Sequence, residues 1–174
     1  MMDGIFSGKL LGGVCNKLIH RDLYKLRGGK FRPNINYCED VLFLSEICDK
    51  QVFNISHVNK ALYNYDKSAG TSITSSKFTR EKYFSYRAFN KALRETYTRL
   101  TFQQYADSLG DNVVKVFTSN ILSGREFYRE FKSERSALKA MKCNRRLKLL
   151  IILSSYGLYP VCRLFYSAYL NMRK

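Results

Sequence analysis

Acidic residues are scarce in this 174-residue chain, where 14 Asp and Glu face 30 Lys and Arg for a formal charge of +16. The imbalance points to a polyanionic partner, either a nucleic acid or an anionic membrane surface. Paired cysteines are missing as well. Cys15, Cys38, Cys48, Cys143 and Cys162 include no Cys-x-x-Cys, and His20 and His57 stand alone. A zinc site and a disulfide framework are therefore not expected, and reduced thiols in a cytoplasmic protein fit best. The opening Met1-Met2-Asp3-Gly4 has neither the basic nor the apolar region of a secretory leader. The longest uncharged run, Leu149 to Cys162, has fourteen residues and contains Pro160. Crossing a bilayer takes about 20 apolar residues, so no transmembrane helix is expected.

The chain is long enough to bury a core, and its texture changes near residue 76. Residues 1 to 75 carry ten basic and seven acidic side chains, whereas residues 76 to 174 carry twenty and seven. The first part is rich in glycine, with short apolar runs that suit strands and loops. Val14 to Ile19 is expected to be a strand, Arg21 to Leu26 a short helix, Gln51 to Ile55 a strand, and Leu62 to Tyr65 a further extended piece. Between them, Val41, Leu42, Leu44, Ile47 and Cys48 recur at helical spacing, and Asn34 or Asn36 could cap that helix. In the second part Tyr83, Tyr86, Phe89, Leu93 and Tyr97 mark one face of a long helix. Further helices are expected at 102–108, 112–123, 124–141 and 144–170, the last interrupted near Gly157 and Pro160.

Glu39-Asp40 is the only adjacent acidic pair in the chain. Carboxylates in a first helical turn favour the positive end of the helix dipole. A carboxylate ionised at neutral pH can also act as a general base toward a hydroxyl, worth roughly 10²–10⁴-fold. Spacing alone leaves both roles open. His20 and His57 are too isolated to argue as ligands or bases.

Several segments in order resemble the family-2 glycosyltransferases of the GT-A fold. Asn16-Lys17-Leu18-Ile19 followed by Arg21-Asp22-Leu23 is similar to the Asn-Lys-Leu segment before the acceptor loop in that family, and 31–36 would be the loop. Glu39-Asp40-Val41-Leu42-Phe43 resembles the Glu-Asp-x-x-Phe motif. Leu62-Tyr63-Asn64-Tyr65 with Ser72-Ile73-Thr74 is similar to the strand and loop after the base helix. Cys15, where an aromatic residue is common, and Asp66, where a basic residue is common, depart from the pattern.

The resemblance implies an α/β fold: the acceptor half of a GT-A domain over residues 1–75, then a basic helical region over 76–174. It implies an inverting transfer of sugar from a nucleotide-sugar donor to a saccharide or lipid-linked acceptor, as in bacterial surface polysaccharide synthesis. Asp40 would be the base, with Glu39 orienting the acceptor. Asn16, Lys17, Tyr65, Lys67 and Ser72 would contact substrates, although Asn16 and Lys17 can equally be strand-end residues and Tyr65 a packing residue. Mg²⁺ or Mn²⁺ would be held in the complete enzyme by an Asp-x-Asp motif, which is absent from these 174 residues. Without it nothing offsets charge on a leaving diphosphate, so the chain alone is expected to be inactive and to look like a fragment.

Residues 144–174 carry Arg145-Arg146-Leu147-Lys148, then the apolar run, then Arg163, Tyr166, Tyr169, Arg173 and Lys174. This order suits a helix at the inner face of a cell membrane, where each basic residue near anionic lipid is worth about 1 kcal/mol. A bundle helix with a solvated basic face is the plainer alternative. Basic residues interleaved with Tyr and Phe between Arg80 and Arg99 raise nucleic-acid binding as a rival, but no helix-turn-helix, zinc-finger or RNP-type motif accompanies them. No nucleic acid is expected.

Overall fold

A computed structural model describes residues 1–27, 31–49, 54–64 and 77–172. Among these residues every regular element is helical and no strand forms. Three short helices, α1 (Met2–Phe6), α2 (Arg21–Arg27) and α3 (Glu39–Asp49), precede α4 (Arg80–Thr96), α5 (Phe102–Ser119), α6 (Gly124–Phe131), α7 (Arg135–Ala140), α8 (Arg145–Leu153) and α9 (Tyr159–Asn171).

This overturns the expected α/β GT-A acceptor half. The segment 14–19 is not a strand, because the Lys17 N–H donates to the Val14 carbonyl at 3.0 Å and curls the chain into a turn. A strand also needs a paired neighbour for its backbone groups, and no described segment supplies one. Residues 54–55 and 62–64 are irregular and exposed, and 51–53 and Tyr65 lie outside the described residues.

The helical expectations fared better because their signals are local. Thr79, Thr101, Ser123 and Asn144 each cap the helix that follows, and Thr101 with Gln104 and Ser123 with Glu126 form reciprocal capping boxes. Where two helices were expected over 102–123, α5 runs unbroken through Gly110. A Cβ there would lie 2.9 Å from that of Met141, so the glycine lets α7's end approach closely. Where one helix was expected over 124–141, the chain breaks between Phe131 and Arg135.

Helix α4 is the wall between two apolar clusters. Tyr83 faces the larger one, which α5 to α9 fill with Leu109, Val113, Phe117, Phe127, Phe131, Leu138 and Met141, all fully buried. Tyr86, Phe89, Leu93 and Tyr97 face the smaller one, with Met2, Leu42, Phe43, Leu44 and Ile47. The expected aromatic stripe of α4 is thus buried along its whole length. Polar bonds reinforce both sides. The Tyr83 hydroxyl donates to Glu130 at 2.7 Å and the Tyr105 hydroxyl to Glu134 at 2.9 Å, with Arg87 within 3.5 and 3.6 Å of the two carboxylates. On the other side Asp49 accepts from the Thr98 N–H at 2.6 Å and its hydroxyl at 2.9 Å.

The C-terminal run is longer than the uncharged stretch suggested. Helix persists from Arg145 to Asn171, a run long and apolar enough to cross a membrane. It is bent, however. A wide turn over Ser154–Leu158 contains Gly157 at φ 99°, a left-handed conformation that favours glycine, and Pro160 falls within the first turn of α9, where its missing N–H costs nothing.

Candidate functional site

Four of the expected site residues lie near one another: Glu39 and Asp40 in the first turn of α3, and Asn16 and Lys17 in the loop that Asp40 tethers. Asp40 Oδ2 accepts from the Val14 N–H at 3.2 Å. The Lys17 ammonium donates to the Leu11 and Gly13 carbonyls at 2.6 Å each and to Asn16 Oδ1 at 2.7 Å. Partial burial holds the Lys17 ammonium below its ordinary pKa, while Cys15 and Asp40 pull the other way. Asp40 therefore ties the 11–17 loop to α3, and Lys17 fastens that loop to itself. Glu39 stands beside Asp40 in the same turn and is half-buried. Tyr65, Lys67 and Ser72 lie outside the described residues.

Behind this turn is a cluster that sequence reasoning missed. Cys38 has φ 60°, uncommon outside glycine and asparagine. Burial pushes its thiol up to about 11, against the opposing effects of Tyr86 and Lys115. A thiol so raised is protonated at neutral pH and a poor nucleophile. The Tyr37 and Tyr86 rings meet at 4.7 Å, and the Lys115 ammonium lies 5.8 and 5.5 Å from their centroids. Tyr86 and Lys115 are far from Cys38 in sequence, so no local pattern marks this cluster.

An open notch of about 430 Å³ lies where α6 begins against α9, lined by Arg80, Asn120, Ser123, Glu126, Tyr159 and Arg163. Its cations are engaged. Arg80 pairs with Glu126, and Arg163 donates to the Phe117 carbonyl at 2.6 Å. Among the described residues no group of three or more His, Cys, Asp and Glu side chains converges to hold a metal ion.

The other unusual surface belongs to α8 and α9. Only 28% of the apolar window in Arg145–Asn171 is buried within the fold. Ile151, Tyr159 and Cys162 face the core, whereas Leu149, Leu158, Val161, Leu164, Phe165 and Met172 are exposed. From Arg135 to Lys174 the chain has nine basic residues and no acidic one.

Fold and surface together define a basic protein whose described residues form helices and no strand, with a C-terminal helix that exposes apolar side chains. No protein family, curated protein or solved structure matches the chain. The resemblance to family-2 glycosyltransferases is therefore corrected. The strands that it required are absent from the described residues, and no matching family supports it.

Proposed function

We propose that this protein associates with anionic membrane surfaces through its C-terminal helices, at the inner face of the cell membrane. The carrying observation is the coincidence of an acid-free basic segment with an apolar helix left largely outside the core. A solvated bundle helix would place charge, not Leu164 and Phe165, on its outer face. Flotation with phosphatidylcholine vesicles, with and without phosphatidylglycerol, tests the reading. Co-flotation only with the anionic vesicles, weakening as salt rises, is expected. Salt-sensitive binding to bulk DNA without vesicle binding would transfer the function to the nucleic-acid rival.

A second reading, sugar transfer from a nucleotide donor with Asp40 as base, is supported only by the bond that ties Asp40 to Val14 in the loop carrying Asn16 and Lys17. It does not rest on family or fold. Release of nucleoside diphosphate in the presence of saccharide acceptors, lost in Asp40→Asn, would support it. No release by the unaltered chain removes it for this chain.

A further inference from the structure

We infer that α9 lies in the plane of an anionic bilayer and, with its flanking residues Leu158 and Met172, inserts Val161, Leu164 and Phe165, with the chain held on one side of the membrane by the bend at Gly157. This rests on the membrane reading above and deepens it by naming the inserting face and its topology.

The five side chains are exposed, Leu164, Phe165 and Met172 to 73%, 65% and 79%. At 3.6 residues per turn Val161, Leu164, Phe165 and Met172 share one face roughly 100° wide, and Leu158 precedes that face at the bend. The opposite face is committed to the protein. Tyr159 and Cys162 are buried, the Tyr159 hydroxyl donates to Asn120 Oδ1 at 2.9 Å, and Tyr166 packs its ring 5.5 Å from Phe117. α9 thus presents one apolar face outward while its other face anchors it to the fold, which is the pattern of an interfacial helix.

Charge selects the occupant. No Asp or Glu occurs in residues 135–174, and Arg145 and Arg146 are exposed at the start of α8. A lipid leaflet with anionic headgroups offers apolar depth for the stripe and counter-charge for these guanidinium groups together.

The bend decides between lying on the membrane and crossing it. A straight helix over Arg145–Asn171 would be about 40 Å long, enough to span a hydrocarbon core of about 30 Å, whereas α9 alone is about 20 Å. Arg135 holds the bend. Its guanidinium donates to the Ser155 carbonyl at 2.7 and 3.3 Å and stacks 3.8 Å from the Tyr156 ring centroid. Ser154 and Ser155 are fully buried beneath it.

The chain contains no tryptophan, so Phe165→Trp gives a clean reporter. Phe102→Trp, exposed at the far end of α5, is the control. In phosphatidylglycerol-containing vesicles, Phe165→Trp should shift to the blue and be quenched by lipids brominated near the headgroup, with Phe102→Trp unchanged. The pair Leu164→Glu and Phe165→Glu should lower vesicle partition roughly tenfold or more without changing the melting temperature, because both side chains are already exposed. Co-flotation with no quenching of Phe165→Trp overturns the inference and leaves the membrane reading standing. Strongest quenching by lipids brominated near the bilayer centre indicates a spanning helix and also overturns it. Lipid-free dimers lost in the Glu pair would assign the stripe to a second copy instead. No co-flotation at all removes the membrane reading itself.

Discussion

The two sides of α4 are built differently. Toward the C-terminus, α5 to α9 close a core whose largest side chains are fully buried, and several of its helices start with a side-chain cap. Toward the N-terminus, α1 to α3 are short and joined by irregular chain fastened by single tethers: Asp40 to Val14, Arg32 to Glu46 at 2.8 Å, and the Asn36 N–H to Ser85 at 2.9 Å. Arg99 from beyond α4 also reaches the last carbonyls of α3, at Cys48 and Asp49. The difference teaches that α3 depends on α4 for its partners, whereas the C-terminal helices carry much of their own specification.

Substitutions can break or sharpen that contrast. Phe127 is fully buried among Phe117, Phe131 and Tyr159. Phe127→Ala should cost about 3 to 5 kcal/mol in denaturant unfolding and destabilise both regions together. Leu44→Ala, in the smaller cluster, should cost about 3 kcal/mol. Trypsin should then cut within residues 1–49 under conditions where helical ellipticity from α4 to α9 persists. Simultaneous loss of both signals would show that the two regions are one cooperative unit. Ser123→Ala removes the cap of α6 and should cost about 1 kcal/mol in thermal unfolding.

A smaller effect is expected at Asn112, which is fully buried with neither amide atom partnered among the described residues. Asn112→Leu should be neutral or stabilising by up to about 1 kcal/mol, since it removes an unmet desolvation cost. A large loss in chemical denaturation would show that the amide has a partner. The least change is expected from pH. Glu126 is held down to about 2 by its bonds to Arg80 and Ser123. Its folded-state pKa is depressed, so its contribution is present above the unfolded value of about 4.3 and is lost as pH falls toward 2. The melting-temperature gap between the native chain and Glu126→Gln should therefore narrow between pH 5 and 2. A gap independent of pH would assign the effect to packing.

Legibility followed the range of the interactions. The stripe Tyr83, Tyr86, Phe89, Leu93 and Tyr97 was readable because helical spacing is written in neighbouring residues, and the interruption near Gly157 was readable because glycine and proline mark breaks. The strands were misjudged because short apolar runs such as Val14 to Ile19 do not show whether a partner strand exists. At the site, Asp40 was legible as a helix-start carboxylate, but its bond to Val14 spans 26 residues. The Tyr86 and Lys115 contacts behind it had no local signal at all.

By itself the sequence determined the basic C-terminal region, the helical texture beyond residue 76 and the acidic turn at Glu39-Asp40, because charge, periodicity and capping act over a few residues. Only the tertiary structure decided that the first region has no described strand, that α4 divides two cores, and that α9 turns its apolar stripe outward. Those outcomes depend on which distant surfaces meet, such as Arg135 with Ser155 and Phe117 with Tyr159, and burial of one face is what leaves the other exposed.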